Sequence, residues 1–356
     1  MKRTSLAFEA WPVADQSLWR SLTASGHVLD QTGLGAHWRP ATRNILRRDY
    51  GFWLAFLQTQ DVDLEAEDPV TRFTRARVRG YTKSLSTHAA STQAGAIRSL
   101  DVILRRSAPA ADWTWLRDIR RPLDAAERRL QGARRRHRIV SSNKLYDLGI
   151  ALMERASAVE ASAKHAVMFR DGLIISLLAS RPMRLANLSN IDLERHLVRL
   201  PNGEIQIDFA AEETKTGRPF EVSVPASLCA AFDLYLTFYR PILLGRHAHD
   251  QLWIGWWGRP LSYHHLGLRI TELTQKAFGV AVSPHLFRTA AATTIAAADP
   301  HRVGTATAIL GHADPRTAER YYNQARSIDA GRAYHKVIHA LREQTRPLKR
   351  RNGGPT

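Results

Sequence analysis

The sequence predicts a mainly α-helical protein with one small antiparallel β-sheet, organised in two lobes. Three observations carry this. Apolar residues recur at helical spacing through most of the 356 residues. The period shortens to that of strands only between Leu197 and Val224. A run rich in arginine, Arg117 to Arg138, separates two regions that each hold enough apolar residues for a core of their own.

The first 40 residues read as an irregular N-terminal extension, because Pro12, Gly26, Gly33, Gly35 and Pro40 interrupt any period. Residues 41–118 read as an all-α module. A helix is expected from Thr42, carrying Ile45, Phe52, Trp53, Phe56 and Leu57. A second is expected from the Asp68-Pro69 start signal, and a third from Ser91-Thr92 through Ile97, Leu100 and Leu104. Residues 119–140 read as a basic linker. The Arg117–Arg138 run holds nine arginines against Asp118, Asp124 and Glu127, a net +6. Such a connector is either a solvated charged segment or one that follows a phosphate backbone, and both can hold together.

Residues 141–345 form the second lobe, and 346–356 a basic tail. Helices are expected from Ser141-Ser142 and over Val167–Leu178. Three strands follow, at 197–200, 204–209 and 220–224, with turns at Pro201-Asn202-Gly203 and Thr216-Gly217-Arg218-Pro219. Helices resume at Pro225, Ser262, Ser283-Pro284, near His301 and at Asp314-Pro315, and a last one runs from about Asp329.

Charge narrows the function. Lys and Arg number 51 against 33 Asp and Glu, a net +18, and the pI is near 10.7. That surplus calls for a polyanion; nucleic acid is favoured over a membrane surface, since no basic amphipathic helix stands out. A single cysteine, Cys229, excludes an intramolecular disulfide and a cysteine-rich zinc site, and its apolar helical context predicts a buried structural thiol. The N-terminus lacks an apolar signal core. The longest apolar stretch, Leu173–Ala179, falls short of the ~20 residues a span requires. A cytoplasmic protein with no membrane partner is expected, associated with the nucleoid when bound to DNA.

Six residues of the second lobe suggest phosphodiester chemistry: Arg184, Lys215, His285, Arg288, His312 and Tyr321. The pentavalent transition state of phosphoryl transfer needs fixed cationic donors. Arg184 and Arg288 suit this, because a planar guanidinium stays charged and bonds two oxygens at once. Lys215, at a hairpin tip, suits a general acid for the leaving 5′-oxygen. Tyr321 suits a nucleophile that keeps bond energy in a covalent intermediate. Its phenol, with a free pKa of about 10, needs a cationic pocket and a base. His285 shares a helical face with Arg288 and is placed to move a proton beside the phosphate. Taken singly, each residue has an ordinary explanation as cap, turn or packing; their order along the chain is what points to catalysis.

That ordered set resembles the catalytic domain of the tyrosine recombinases, or phage integrases, over about residues 140–340. Arg184-Leu185-Ala186-Asn187-Leu188 resembles the family's Arg-x-x-Glu-Leu segment, Lys215 its β-hairpin lysine, and Pro284-His285-Leu286-Phe287-Arg288 its His-x-x-Arg box. Leu310-Gly311-His312 followed by Tyr321 resembles its Leu-Gly-His box and tyrosine. The helical module resembles the family's core-binding domain more loosely. The resemblance implies a two-lobed clamp around DNA, of a helical core-binding domain and a mixed α/β catalytic domain. It implies a site-specific recombinase or integrase of a mobile element acting through a 3′-phosphotyrosyl link, without metal or cofactor. Partners would be double-stranded DNA with an inverted-repeat core site, a homotetramer on two duplexes and an accessory directionality factor. The last helix would dock on a neighbouring protomer.

The sequence departs from the pattern in three places. Asn187 stands where a carboxylate is common, Arg181-Pro182 replaces Thr-Gly, and Thr289 follows Arg288 where His is frequent. Tyr322 beside Tyr321 leaves two candidate nucleophiles, of which the spacing from His312 favours Tyr321. Arg43, Arg47, Arg48, Arg75, Arg77 and Arg79, with Arg134, Arg135 and Arg136 of the linker, are candidates for DNA contact; a solvated charged face is the equal alternative. Two other functions use the same residues: a catalytically silent DNA-binding protein, and cleavage and religation of the type IB topoisomerase kind without strand exchange. A basic helical protein that binds RNA is a third reading, and it predicts no covalent product.

Overall fold

The computed structural model describes residues 4–26, 32–136 and 138–298, with Val337 beyond them; at 131–136 and 296–298 only the helical backbone is described. The chain divides into two units, Met1–Arg134 and Arg135–Thr356.

The first unit is all-helical: α1 (Val13–Thr23), α2 (Pro40–Gln58), α3 (Arg75–Ser84), α4 (Ala90–Ser107) and α5 (Thr114–Arg136). Its core is rich in aromatics. Trp53, fully buried on α2, stacks on Phe73 at 4.7 Å and meets the edge of Tyr81 at 5.4 Å.

Three expectations are corrected here. The N-terminal segment is no irregular extension, because Trp11, Trp19, Leu22 and Trp38 are buried in this core. Pro12 occupies the N-cap position of α1, where its missing N–H costs nothing. Gly33 is a close approach, since a Cβ there would lie 2.3 Å from the Ser21 carbonyl oxygen. The segment is also locked electrostatically. Asp15, fully buried, accepts from Arg72 Nη1 at 2.8 Å and from the Tyr50 hydroxyl at 2.6 Å.

The Asp68-Pro69 signal starts only a turn. Asp68 Oδ1 accepts from the N–H groups of Val70 and Thr71, and the helix itself starts after Thr74, whose hydroxyl accepts from Arg77 N–H. The arginine-rich run expected as a linker is mostly helix α5. Its many charges mask the helical period, and three of them pair with α4: Asp124 and Glu127 each accept from Arg98 at 2.8 Å, and Arg120 reaches Asp101. Trp115, Ile119 and Leu123 add an apolar face against the core.

The second unit begins with α6 (Ser142–Ser157) and α7 (Ala163–Ser180), which lie side by side. Gly149 and Gly172 allow this closeness; a Cβ on Gly149 would lie 2.5 Å from the Gly172 carbonyl oxygen. From Phe169 to Ala179 every residue of α7 is buried, which explains a stretch apolar on all sides. No described helix is long and apolar enough to cross a membrane.

After the short helices α8 (Leu185–Ser189) and α9 (Leu193–His196) comes the sheet: β1 (Leu197–Arg199), β2 (Ile205–Phe209) and β3 (Phe220–Ser223). The order is β1-β2-β3, all antiparallel, with Ile207 opposite Leu197 and Val222. Ile205, Ile207 and Phe209 face the core in strict alternation. Gly203 and Gly217, at φ 83° and 65°, make the two turns.

The chain returns through α10 (Ala226–Leu234), a π-helical turn at Tyr235–Tyr239, α11 (Arg240–Leu244), α12 (Tyr263–Phe278) and α13 (Pro284–Ala298). Cys229, expected buried, is half-buried on α10. The expected helices near His301, at Asp314-Pro315 and from Asp329, and the basic tail, lie outside the described residues.

Candidate active site

Arg184, the first candidate, occupies the N-cap position of α8, at the end of a loop pinned on both sides. Arg181 donates from Nε to the Ser223 carbonyl of β3 at 2.9 Å. Arg288 of α13 donates from Nη1 to the Pro182 carbonyl at 2.5 Å. The second arginine thus holds the loop that carries the first, although 106 residues separate Arg288 from Pro182. Arg288 is buried and Arg184 half-buried. His285, one turn before Arg288 on α13, is exposed.

Lys215 is exposed in the β2–β3 connection. The buried Thr214 hydroxyl fixes this turn by bonding both backbone groups of Arg218, donating to its carbonyl at 2.7 Å and accepting from its N–H at 3.2 Å. Upstream, Glu213 accepts from Ala210 N–H at 3.0 Å, from His196 Nε2 at 3.1 Å and from Arg195. The His196 tautomer follows from its other nitrogen, which accepts from Asp192 N–H, so that Nε2 carries the proton. Burial works to raise the Glu213 pKa, but the bonds from His196 and Ala210 and the nearby positive charges outweigh it and hold the carboxyl below its usual value.

Asn187, one helical turn after Arg184, is buried, and its Nδ2 has no hydrogen-bond partner among the described residues. His312 and Tyr321 lie outside the described residues. The structure therefore links the Arg184 loop to Arg288, and fixes the Lys215 turn separately. Sequence reasoning missed the fastening residues, Arg181, Glu213 and Thr214. Nothing in the local pattern singles them out, because their partners are backbone groups or residues reached only in the fold.

Among the DNA-contact candidates, Arg43 and Arg77 are held within the protein. Arg43 bonds the carbonyls of Trp38 and Ala36, and Arg77 forms a two-pronged pair with Glu67 at 2.5 and 2.7 Å. Arg47 and Arg75 are exposed, with their guanidinium groups over Phe8 and Trp115. Arg48 and Arg79 are also exposed, and Arg48 pairs with Asp49 at 3.2 Å. Arg134, Arg135 and Arg136 fall on the last turn of α5, where only the backbone is described.

In sequence, residues 152–327 match the phage integrase family. This stretch is a domain of that family. All six candidate catalytic residues, from Arg184 to Tyr321, fall inside the matched stretch. Among solved structures, the XerH site-specific recombinase bound to difH substrate in a pre-cleavage complex is similar, with TM-score 0.56 and 16% identity. The match covers 80% of this chain and 77% of that one. The XerH post-cleavage complex with palindromic difH gives TM-score 0.55 and 16% identity over 82% and 79%. At such identity the likeness is one of fold. No curated protein matches the chain in sequence.

Proposed function

We propose that this protein is a site-specific DNA recombinase that cuts and rejoins strands through Tyr321. The observation that carries the reading is the bond from Arg288 to the Pro182 carbonyl, which ties two arginines distant in sequence into one locus inside an integrase-family domain. Arg184 and Arg288 would neutralise the non-bridging oxygens of the scissile phosphate.

The Tyr321 phenol oxygen attacks phosphorus while the bond to the 5′-oxygen breaks. The phenol proton passes to a base of the site, His285 being the described candidate, and the 5′-oxygen takes a proton from Lys215. The products are a 3′-phosphotyrosyl bond and a 5′-hydroxyl. The reverse attack by a partner strand's 5′-hydroxyl restores tyrosine and completes exchange, so no external energy source is needed.

Inverted-repeat duplex DNA is the proposed substrate. A homotetramer on two duplexes is the proposed assembly, an accessory directionality factor a further partner, and movement of a genetic element the proposed role. On this reading the working compartment is the cytoplasm, with the chain on the nucleoid when bound.

A nicked suicide substrate built from the DNA flanking the gene tests the proposal. A detergent-resistant protein–DNA band is expected from the wild type and from Tyr322→Phe, and none from Tyr321→Phe. Tight binding of that DNA with no band from any form would favour the catalytically silent binder instead.

A further inference from the structure

The second unit has a groove of about 1040 Å³ that the chemistry above does not use. Its floor is aliphatic: Leu148 and Leu152 from α6, Val167 and Met168 from α7, and Leu268 and Leu273 from α12. Its charge is one-sided. The acids that line it are already neutralised, Asp171 by Arg170 and Arg269, and Glu272 by Arg269. Four exposed cations on its rim, Arg155, Lys164, Arg259 and Lys276, have no ion pair among the described residues.

One wall is a short loop that presents two tryptophans. Trp256 is 50% exposed and Trp257 81% exposed. Trp257 has φ 71° and ψ 23°, a left-handed conformation that a bulky side chain adopts only when its surroundings impose it. The surroundings do impose it. Gly255 N–H donates to the Arg259 carbonyl at 2.6 Å, and Leu261 N–H to the Trp253 carbonyl at 2.8 Å. His249 Nε2 bonds the Gly258 carbonyl at 2.9 Å, and buried Arg170 bonds that of Ile254. A rigid scaffold therefore holds a large apolar side chain in water, at a cost in both strain and hydration, on the rim of an apolar groove. Tryptophan and arginine so placed are typical anchors of protein interfaces.

We infer that this groove docks an acidic amphipathic helix of a partner protein, its apolar face on the aliphatic floor and its flanking carboxylates against Arg155, Lys164, Arg259 and Lys276. Helix-in-groove recognition supplies apolar anchors at i, i+3/i+4 and i+7, which an aliphatic floor between two helices accepts. A DNA backbone would answer the cations but leave the floor unfilled. The chain's own last segment has the wrong charge: residues 329–351 hold seven Lys and Arg against Asp329 and Glu343, a net +5. The inference stands apart from strand cleavage and does not depend on it.

Fluorescence anisotropy on the full-length protein tests it with three labelled synthetic peptides. One is an amphipathic helix with leucines at i, i+4 and i+7 flanked by glutamates, one replaces the glutamates by lysines, and one is residues 326–345 of this chain. The glutamate peptide is expected to bind saturably and more tightly than the other two. Trp257→Ala, an exposed change that leaves the core intact, should weaken it at least about tenfold. The Arg259→Glu, Lys276→Glu double variant should shift preference toward the lysine peptide. Absence of saturable binding by the glutamate peptide would overturn the inference. So would tighter binding by the 326–345 peptide, which would make the groove a seat for this chain's own segment, or displacement of the glutamate peptide by duplex DNA.

Discussion

Arg184 and Arg288 have the same charge but different structural duties. Arg288 is buried, and it satisfies a carbonyl in the loop that carries Arg184, whereas Arg184 is half-buried at a helix start. Truncating the two should therefore separate stability from chemistry. Arg288→Ala leaves the Pro182 carbonyl without its charged donor and is expected to cost about 2 kcal/mol of folding stability. Arg184→Ala is expected to stay within about 0.5 kcal/mol of wild type while losing DNA cleavage. Urea unfolding of both variants checks this, and equal destabilisation by the two would contradict it. The sequence marks both arginines as candidates because their flanking residues keep a recognisable order, but not the bond from Arg288 to the Pro182 carbonyl. Asn187 was legible only as a departure. Its unpartnered Nδ2 appears once the fold buries it, since no local pattern says which polar groups will lose water.

At the scale of elements, the β2–β3 connection shows a fastening held by charge. Glu213 bonds Ala210 N–H, His196 and Arg195, and these outweigh burial to keep its carboxyl below the ordinary glutamate value. The sign follows from linkage: the stabilisation is fully present above the unfolded-state value, about 4.3, and is lost as pH falls through the lower folded-state value. Acidification should therefore loosen the Lys215 turn in that window. Amide exchange at 210–218 is expected to rise there in the wild type, and to be already raised at neutral pH in Glu213→Gln. Exchange that is flat with pH in the wild type would contradict the fastening. The three strands and both turns were legible because alternation and turn glycines are local signals. Helix α5 was not: its charged residues hide the apolar face, and its ion pairs run to α4, in a different sequence region. Helix α1 was missed for a related reason. The prolines and glycines that flank it read as breaks, whereas Pro12 is a cap and Gly33 a close contact.

At the scale of the molecule, the two units each close a core of their own, one aromatic and helical, the other built around α7. The division into two lobes was legible, but its boundary was not, because the arginine run belongs in large part to helix α5 of the first unit. The net charge of +18 agrees with a polyanionic partner and says nothing of chemistry. The proposed reaction joins one tyrosine to DNA. The most direct test is to trap the adduct on a nicked duplex, digest the DNA with nuclease and the protein with trypsin, and locate the residual nucleotide by tandem mass spectrometry. Residues 321–326, Tyr-Tyr-Asn-Gln-Ala-Arg, form a single tryptic peptide that holds both tyrosines. A nucleotide 3′-phosphate on Tyr321 is expected. A nucleotide on Tyr322, or on a residue outside this peptide, would contradict it.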